Sequence, residues 1–344
     1  MSGPKRRKLG RMAAELPPLG LGCSPLGELF VRIDEATAEA ALQTAWEGGI
    51  RYLDTAPEYG AGLSEHRVGR FLRSKPRGDY ILTTKVGRLL TAPRDPARIR
   101  RESWLGGLDF EASFDYGHDA VLRSVEDSYQ RLGLNRIDAL LIHDLDLSTH
   151  GTQAKVDSHL RELRAGGFRA LADLRSSGTI GAIGVGLNDP GMVLRLLEDF
   201  ALDFCLLAMQ YTLLEHRVLE AELPACRKRG VAVIAAGIFN SGILASGAVD
   251  GAYYNYAPAG PEIMDRVRRI EVVCRRHAVP LPAAAMQFPL AHPGVISVLV
   301  GADSPAQVAA NLANFCHPIP SAFWAELKSA GLLAVEAPVP AKAA

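Results

Sequence analysis

An excess of charge of either sign is missing from this chain. Its 344 residues carry 38 Lys+Arg and 38 Asp+Glu, a formal net charge of zero at pH 7. A protein whose main partner is nucleic acid or an anionic membrane needs a basic face, so neither partner is expected. The one basic cluster, KRRK at 5–8, is short and isolated and reads as a solvated terminus. Cysteine is scarce too. Cys23, Cys205, Cys226, Cys274 and Cys316 are odd in number, far apart and form no CxxC. This argues against a disulfide framework or a structural zinc and fits a reducing cytosol. No apolar run reaches the ~20 residues of a membrane-spanning helix. The basic N-terminus is not followed by the hydrophobic segment of a secretory signal. The expected location is the cytoplasm.

Apolar residues are plentiful, at 48% of the chain, enough for a sizeable core. Short apolar runs alternate with longer amphipathic ones. The short runs are PLGLG (18–22), RYLD (51–54), DYILTTK (79–85), IDALLIH (137–143), AIGVG (182–186), DFCLLAM (203–209), VAVIAA (231–236) and ISVLV (296–300). Helical patterns fall at about 35–48, 63–73 and 118–132, then in a long stretch ending near Ser177-Gly178. Others fall at 189–199, 216–229, 261–277, 304–314 and 320–331. Asp34 or Thr37 is placed to cap the first helix, and Ser64 to begin the second. The short runs are continuous rather than alternating, as strands buried on both faces are. Eight βα units predict an α/β fold, a (β/α)8 TIM barrel. An open doubly wound sheet would need a GxGxxG turn after its first strand, where this chain reads GLGCSPLG. We expect one domain over 1–344, with the barrel at about 17–316 and a C-terminal helix at about 320–331. The Ala/Pro-rich tail at 335–344 is expected to fray. Two long loops, an irregular one at 88–116 and another at 237–260, follow the third and seventh strands, so both belong to the C-terminal face.

In such a barrel catalytic groups stand at the C-terminal ends of strands. Here those ends carry Asp54, Lys85 and His143, and Tyr59 lies in the glycine-rich loop just past Asp54. A lysine ending an apolar strand is poorly solvated and needs a carboxylate; Asp54 is on the neighbouring strand. The pair would hold an ammonium beside the Tyr59 hydroxyl. That cation is expected to lower the phenol's pKa from its usual value of about 10, which suits proton transfer near neutral pH. His143 would bond the reacting oxygen. Singly, each residue has a plainer reading: Asp54 a turn former, Lys85 a snorkelling side chain, Tyr59 a surface aromatic, His143 a satisfied buried histidine. Their convergence at one mouth favours chemistry.

Several motifs carry a resemblance: LGLG near the start, DTAxxYG (54–60), SExxxG (64–69), TK (84–85), IDALLIHD (137–144) and VLVGADSPAQVAANL (298–312). Together, over about residues 7–330, the chain resembles the aldo-keto reductase superfamily. The resemblance implies hydride transfer with a nicotinamide cofactor and no metal. Tyr59 would be the general acid/base, Lys85 and Asp54 would tune it, and His143 would orient the carbonyl. YGAGLSE, GVGLN (184–188), QYTLLEH (210–216) and FNSGIL (239–244) are similar to a narrower branch. Its members oxidise an aldehyde-level carbon, held as a cyclic hemiacetal, to a lactone. The function implied first is NAD(P)-dependent oxidation of C1 of an aldose of the L-fucose or D-threo type. The alternatives are a pyridoxal 4-dehydrogenase, a general aldehyde or ketone reductase, or a non-catalytic nicotinamide-binding regulatory subunit.

The same resemblance assigns the cofactor. Gly301, Ala302, Asp303 and Ser304 open the helix at 304–314, whose free N–H groups suit a phosphate; plain capping is the other reading of Ser304. Gln307 and Asn311 match positions near the adenine. Gly237, Asn240, Ser241 and Gly242 would wrap the pyrophosphate, and Gln210 would lie by the nicotinamide amide. Asn188 would hold the carboxamide, one place away from the family's usual Ser-Asn pair. Ala236 stands where many relatives have a stacking tyrosine, with Phe239 as the replacement or as a packing residue. Asp303 replaces a basic residue of NADP-using relatives. An acid there repels a 2′-phosphate and accepts from a free ribose hydroxyl, so NAD is expected over NADP. Glu58, Trp104, Tyr116 and Tyr254 are the expected substrate contacts, aromatics suiting a sugar face or a pyridine ring; Arg88 and Asp144 are further candidate polar contacts, and Tyr253 and Tyr256 lie in the same loop as Tyr254. The identity of the sugar and the oligomeric state stay open at this level.

Overall fold

Eight parallel strands close into a barrel: β1 Leu19–Gly22, β2 Tyr52–Asp54, β3 Ile81–Val86, β4 Ala139–His143, β5 Ala182–Leu187, β6 Phe204–Ala208, β7 Ala232–Ala236 and β8 Val295–Gly301. This computed structural model describes residues 7–9, 15–95, 97, 99, 101 and 103–340. Each strand pairs with the next in chain order, and β8 returns to β1 with Val298 opposite Leu19 and Gly301 opposite Gly22. The strands are short and buried on both faces because side chains fill the inside while helices cover the outside. Tyr52, Leu141, Phe204, Leu206, Ile234 and Leu299 pack the interior. Leu9 and Leu16, both fully buried, join them from a short hairpin of Arg7–Lys8 with Glu15–Leu16. Leu16 lies three residues before β1 begins, and Ile81, Ala139 and Phe204 of the same buried cluster begin their strands, so the hairpin belongs to the N-terminal end. Each such leucine contributes about 1.5–3 kcal/mol of transfer free energy.

Outside the barrel, the first helix, Glu35–Glu47, is capped by Asp34, which accepts from the Thr37 amide at 2.7 Å. Ser64 does not cap the next helix, Leu63–Leu72; Gly62 holds that place at φ 96°. The Ser64 hydroxyl instead donates to the Cys23 carbonyl at 2.7 Å and meets Thr55 Oγ1 at 2.9 Å. It thereby ties the loops after β1 and β2. The pattern at 216–229 resolves into a single turn, Arg217–Leu219, and a helix, Glu222–Arg229. The helix Leu281–Gln287 was not expected. The insert at 88–116 is less irregular than its composition suggests: Arg88–Thr91 pairs with Glu111–Phe114 as a hairpin. The tail also differs from expectation. Ala337 is fully buried and Val339 lies on the core, so apolar burial anchors it there; 341–344 fall outside the described residues. Among the described residues no helix is long and apolar enough to cross a membrane.

Candidate active site

The parallel register does the first work. It sets Asp54 opposite Thr83 and Lys85 opposite Leu141, so the polar ends of β2, β3 and β4 reach one rim. Lys85 is 1% exposed. Its Nζ donates to Asp54 Oδ2 at 2.6 Å, to the Thr55 carbonyl at 2.8 Å and to the Tyr59 hydroxyl at 3.0 Å. The second Asp54 oxygen accepts from Thr83 Oγ1 at 2.6 Å. A buried ammonium needs such partners, since unpaired it would shed its proton. The His143 ring stands edge-on to Tyr59, 5.9 Å between centroids. The structure therefore brings all four residues together.

Their electrostatics correct one expectation. The Tyr59 pKa is raised well above its ordinary value, first by burial and then by Asp54 and Asp144. Burial and the Asp54 carboxylate, itself 2.6 Å from the Lys85 ammonium, therefore prevail over the lowering expected from Lys85. The resting group is a phenol with a proton to give. His143 shifts the other way, well below its usual value, through burial, Arg88 and Lys85, so the ring is neutral at pH 7.

Arg88, three residues past Lys85, is the group that sequence reading most undervalued. It is 7% exposed and reaches three partners: Glu58 Oε2 at 2.7 Å, His143 Nδ1 at 2.9 Å and Asp144 Oδ2 at 3.0 Å. The intervening Gly87 makes this possible. It adopts φ +109°, and a Cβ there would come 2.3 Å from Tyr116 Cε1. Glu58 accepts also from Trp104 Nε1 at 3.3 Å, and the Trp104 ring lies 5.7 Å from that of Tyr59. Two expected substrate contacts, Glu58 and Trp104, thus lie beside Tyr59 and its neighbours. Tyr116 does not. It is fully buried and donates its hydroxyl to the His143 carbonyl at 2.6 Å, so it supports the histidine from below. Tyr254 is turned toward Glu215, to which it donates. Tyr256, two residues on, has the phenol that senses Asp144 and Tyr59, with burial the larger influence, although half of the residue is exposed. Neighbours in an irregular segment carry no period that says which one faces inward.

Residues 18–331 match the Aldo/keto reductase family. The chain belongs to that family. It is 42% identical over 342 residues to pyridoxal 4-dehydrogenase of Microbacterium luteolum, spanning 97% of this chain and 99% of the relative. It is 40% identical over 330 residues to D-threo-aldose 1-dehydrogenase of a Pseudomonas species, spanning 92% and 95%. Its fold is similar to an aldo-keto reductase from Bacillus halodurans solved in the holo form, with TM-score 0.72, 28% identity and 98% of both chains covered. This aldo-keto reductase is therefore an oxidoreductase of a family that works with nicotinamide cofactors.

The residues at the mouth fit such a cofactor. Asn188 Oδ1 and Asn240 Oδ1 are buried and find no hydrogen-bond partner among the described residues, and unsatisfied buried acceptors are costly without a ligand. Asn188 is fixed from both sides: its amide nitrogen donates to Asp144 Oδ1 at 3.0 Å, and its backbone N–H to Asp146 Oδ2 at 2.9 Å. Gln210 donates to its carbonyl. In the loop after β7, Gly237, Asn240, Ser241 and Gly242 all have positive φ, from 45° to 104°. Asn240 donates to Asn255 at 2.9 Å and Ser241 accepts from the Tyr256 amide at 2.9 Å, so both also hold their own loop. Phe239 is half-buried against the core. After β8, Ser304 caps the helix Pro305–Phe315 by accepting from the Gln307 amide at 3.4 Å. Gln307 accepts from the Asp303 amide at 3.1 Å, and Asn311 donates to the Gly301 carbonyl at 3.3 Å. Ala302 is buried beneath that turn and Asp303 is half-buried.

Proposed function

We propose that the protein is an NAD-dependent dehydrogenase that oxidises a cyclic hemiacetal, the C1 position of an aldose of the L-fucose or D-threo type, to a lactone. The observation that carries this is the buried Lys85–Asp54 pair with the Tyr59 hydroxyl 3.0 Å from Nζ, beside a neutral His143. When bound, the nicotinamide supplies the acceptor for hydride. In oxidation the phenolate form of Tyr59, its own proton first released to solvent, takes the hemiacetal hydroxyl's proton as hydride leaves the same carbon. His143 bonds that oxygen and fixes its distance. Trp104, with its ring 5.7 Å from Tyr59, offers a face for a sugar or a flat ring. Asn188 would hold the carboxamide, Gly237 to Gly242 the pyrophosphate, and the turn Gly301 to Ser304 the adenosine side. Asp303 supports NAD over NADP, since a carboxylate there repels a 2′-phosphate.

A second substrate, pyridoxal, is favoured by the 42% identity to a pyridoxal 4-dehydrogenase. It uses the same chemistry on a hemiacetal fused to a pyridine. The test is a screen of aldoses, pyridoxal and simple aldehydes with NAD+ and NADP+, following reduced nicotinamide by absorbance. Activity confined to open-chain aldehydes would refute the hemiacetal reading. Tyr59→Phe is expected to cut turnover by about 10²–10⁴-fold while cofactor affinity survives. Unchanged turnover would remove Tyr59 from the reaction.

A further inference from the structure

We propose that Arg88 is a positioning residue that holds the imidazole of His143 in one tautomer, with its proton on Nε2, so that the ring meets the reacting oxygen as a donor. An arginine has five N–H donors and no acceptor. Its NH1 lies 2.9 Å from His143 Nδ1 in a buried contact, so Nδ1 must present a lone pair. A neutral ring whose Nδ1 accepts carries hydrogen on Nε2. The other side of the ring asks for the same form. Nε2 lies 3.4 Å from Asp144 Oδ2, an acceptor. That carboxylate is already served by Arg88 NH2 and Asn188 Nδ2, each at 3.0 Å, and 3.4 Å is a loose contact. The Nε2 proton is thus free to turn to a substrate oxygen. An imidazolium would set a second donor against the guanidinium, so Arg88 also opposes protonation.

The same side chain couples His143 to the acid/base loop. Arg88 Nε is 2.7 Å from Glu58, and Glu58 directly precedes Tyr59. One planar guanidinium therefore ties together the loops that leave β2, β3 and β4. A lysine is a point charge and cannot meet three partners in one plane. The groups that face His143 are Arg88 and Lys85 from β3 and its exit, Tyr59 from the loop after β2, Asp144 beside it and Tyr116 at its carbonyl. Tyr256 senses Tyr59 and Asp144 in turn.

This inference rests on the reading of His143 as the oxygen-binding residue, and its test needs no substrate. The probe is nitrogen-15 NMR of the full chain labelled at histidine, with His143 assigned through His143→Asn. In the parent protein, we expect one His143 spectrum of the Nε2–H form, unprotonated through the range near pH 6.5 where ordinary histidines titrate. In Arg88→Met the ring should mix tautomers and titrate at higher pH. Its kcat/KM should fall about 10- to 100-fold with cofactor affinity kept. Arg88→Lys should keep the ring neutral yet still mix tautomers. An Nδ1–H ring in the parent protein would overturn the proposal. So would an Arg88→Met or Arg88→Lys protein that keeps a pure Nε2–H ring. If Arg88→Met does not fold, the parent and Arg88→Lys spectra decide it. A wrong choice of substrate would leave these spectra untouched.

Discussion

Removing the charges of the Lys85–Asp54 pair one at a time and then together should give sharply non-additive losses of stability. The two groups are 1% and 2% exposed and meet at 2.6 Å. At an effective dielectric of about 20, unit charges at that distance attract by about 6 kcal/mol. Taking both out of water offsets much of this, and breaking a buried pair from one side typically costs about 3–5 kcal/mol. Lys85→Met leaves the Asp54 carboxylate with Thr83 Oγ1 as its remaining side-chain donor. Asp54→Asn leaves a buried ammonium with neutral acceptors only: the amide oxygen in place of the carboxylate, Thr55 O and the Tyr59 hydroxyl. Each single variant should therefore lose about 3–5 kcal/mol, a large share of a typical total of about 5–15 kcal/mol. The double variant buries no charge and should lose less than the sum of the two, by roughly 2 kcal/mol or more. Urea unfolding followed by tryptophan fluorescence, with refolding checked, measures all four corners of the cycle. Additive losses would mean that the two charges do not sense one another, and the account of how the rim is held would fail. All three variants should also lose turnover, because the Tyr59 hydroxyl no longer faces a paired cation.

The pH dependence follows from Tyr59 and His143. Oxidation needs the Tyr59 phenolate as proton acceptor, and the phenol's pKa is raised, so oxidative kcat/KM should climb steadily from neutral to alkaline pH. Reduction needs the proton in place and should stay flat through neutral pH, declining only at the alkaline end. His143, with its pKa lowered, should add no acid limb until well below pH 6.5. An oxidation rate that peaks in mild acid would contradict this assignment. Asp303→Arg should move the NADP+ to NAD+ ratio of kcat/KM upward by about tenfold or more, since one removed repulsion and one gained attraction are each worth about 1 kcal/mol near a surface; no shift would place the ribose elsewhere. Gly87→Ala puts a methyl 2.3 Å from Tyr116 Cε1 at φ +109°. It should lower stability by about 1–3 kcal/mol and disturb Arg88, seen as a lower melting temperature together with a lower kcat. An unchanged melt would show that the loop adapts freely.

The barrel was legible because each strand is a continuous apolar run, a pattern forced by burial on both faces. The helix Leu281–Gln287 was not, since LPAAAMQ is short, uncharged and has no polar face to set a period. The convergence of Asp54, Tyr59, Lys85 and His143 was also visible, because parallel strands of one barrel put their ends on one rim. What lay beyond strand ends was read less well. Tyr116 reads as a loop aromatic but is buried against the His143 carbonyl, and Tyr254 of the second loop donates to Glu215. The signal for Arg88 was present in TKVGR, a cation three residues past Lys85 after a glycine, and only the turn at Gly87 gives it a direction.

Taken alone, the sequence determined the architecture, the rim on which the polar groups meet and the kind of chemistry they support, because periodicity and strand order are properties of the chain itself. Tertiary structure decided the protonation states. The Tyr59 proton is retained first because the phenol is buried and then because Asp54 and Asp144 stand near it, and the His143 ring is neutral first because it is buried and then because Arg88 and Lys85 face it. Such fields fall with distance between groups far apart in sequence, and those distances exist only once the barrel has closed.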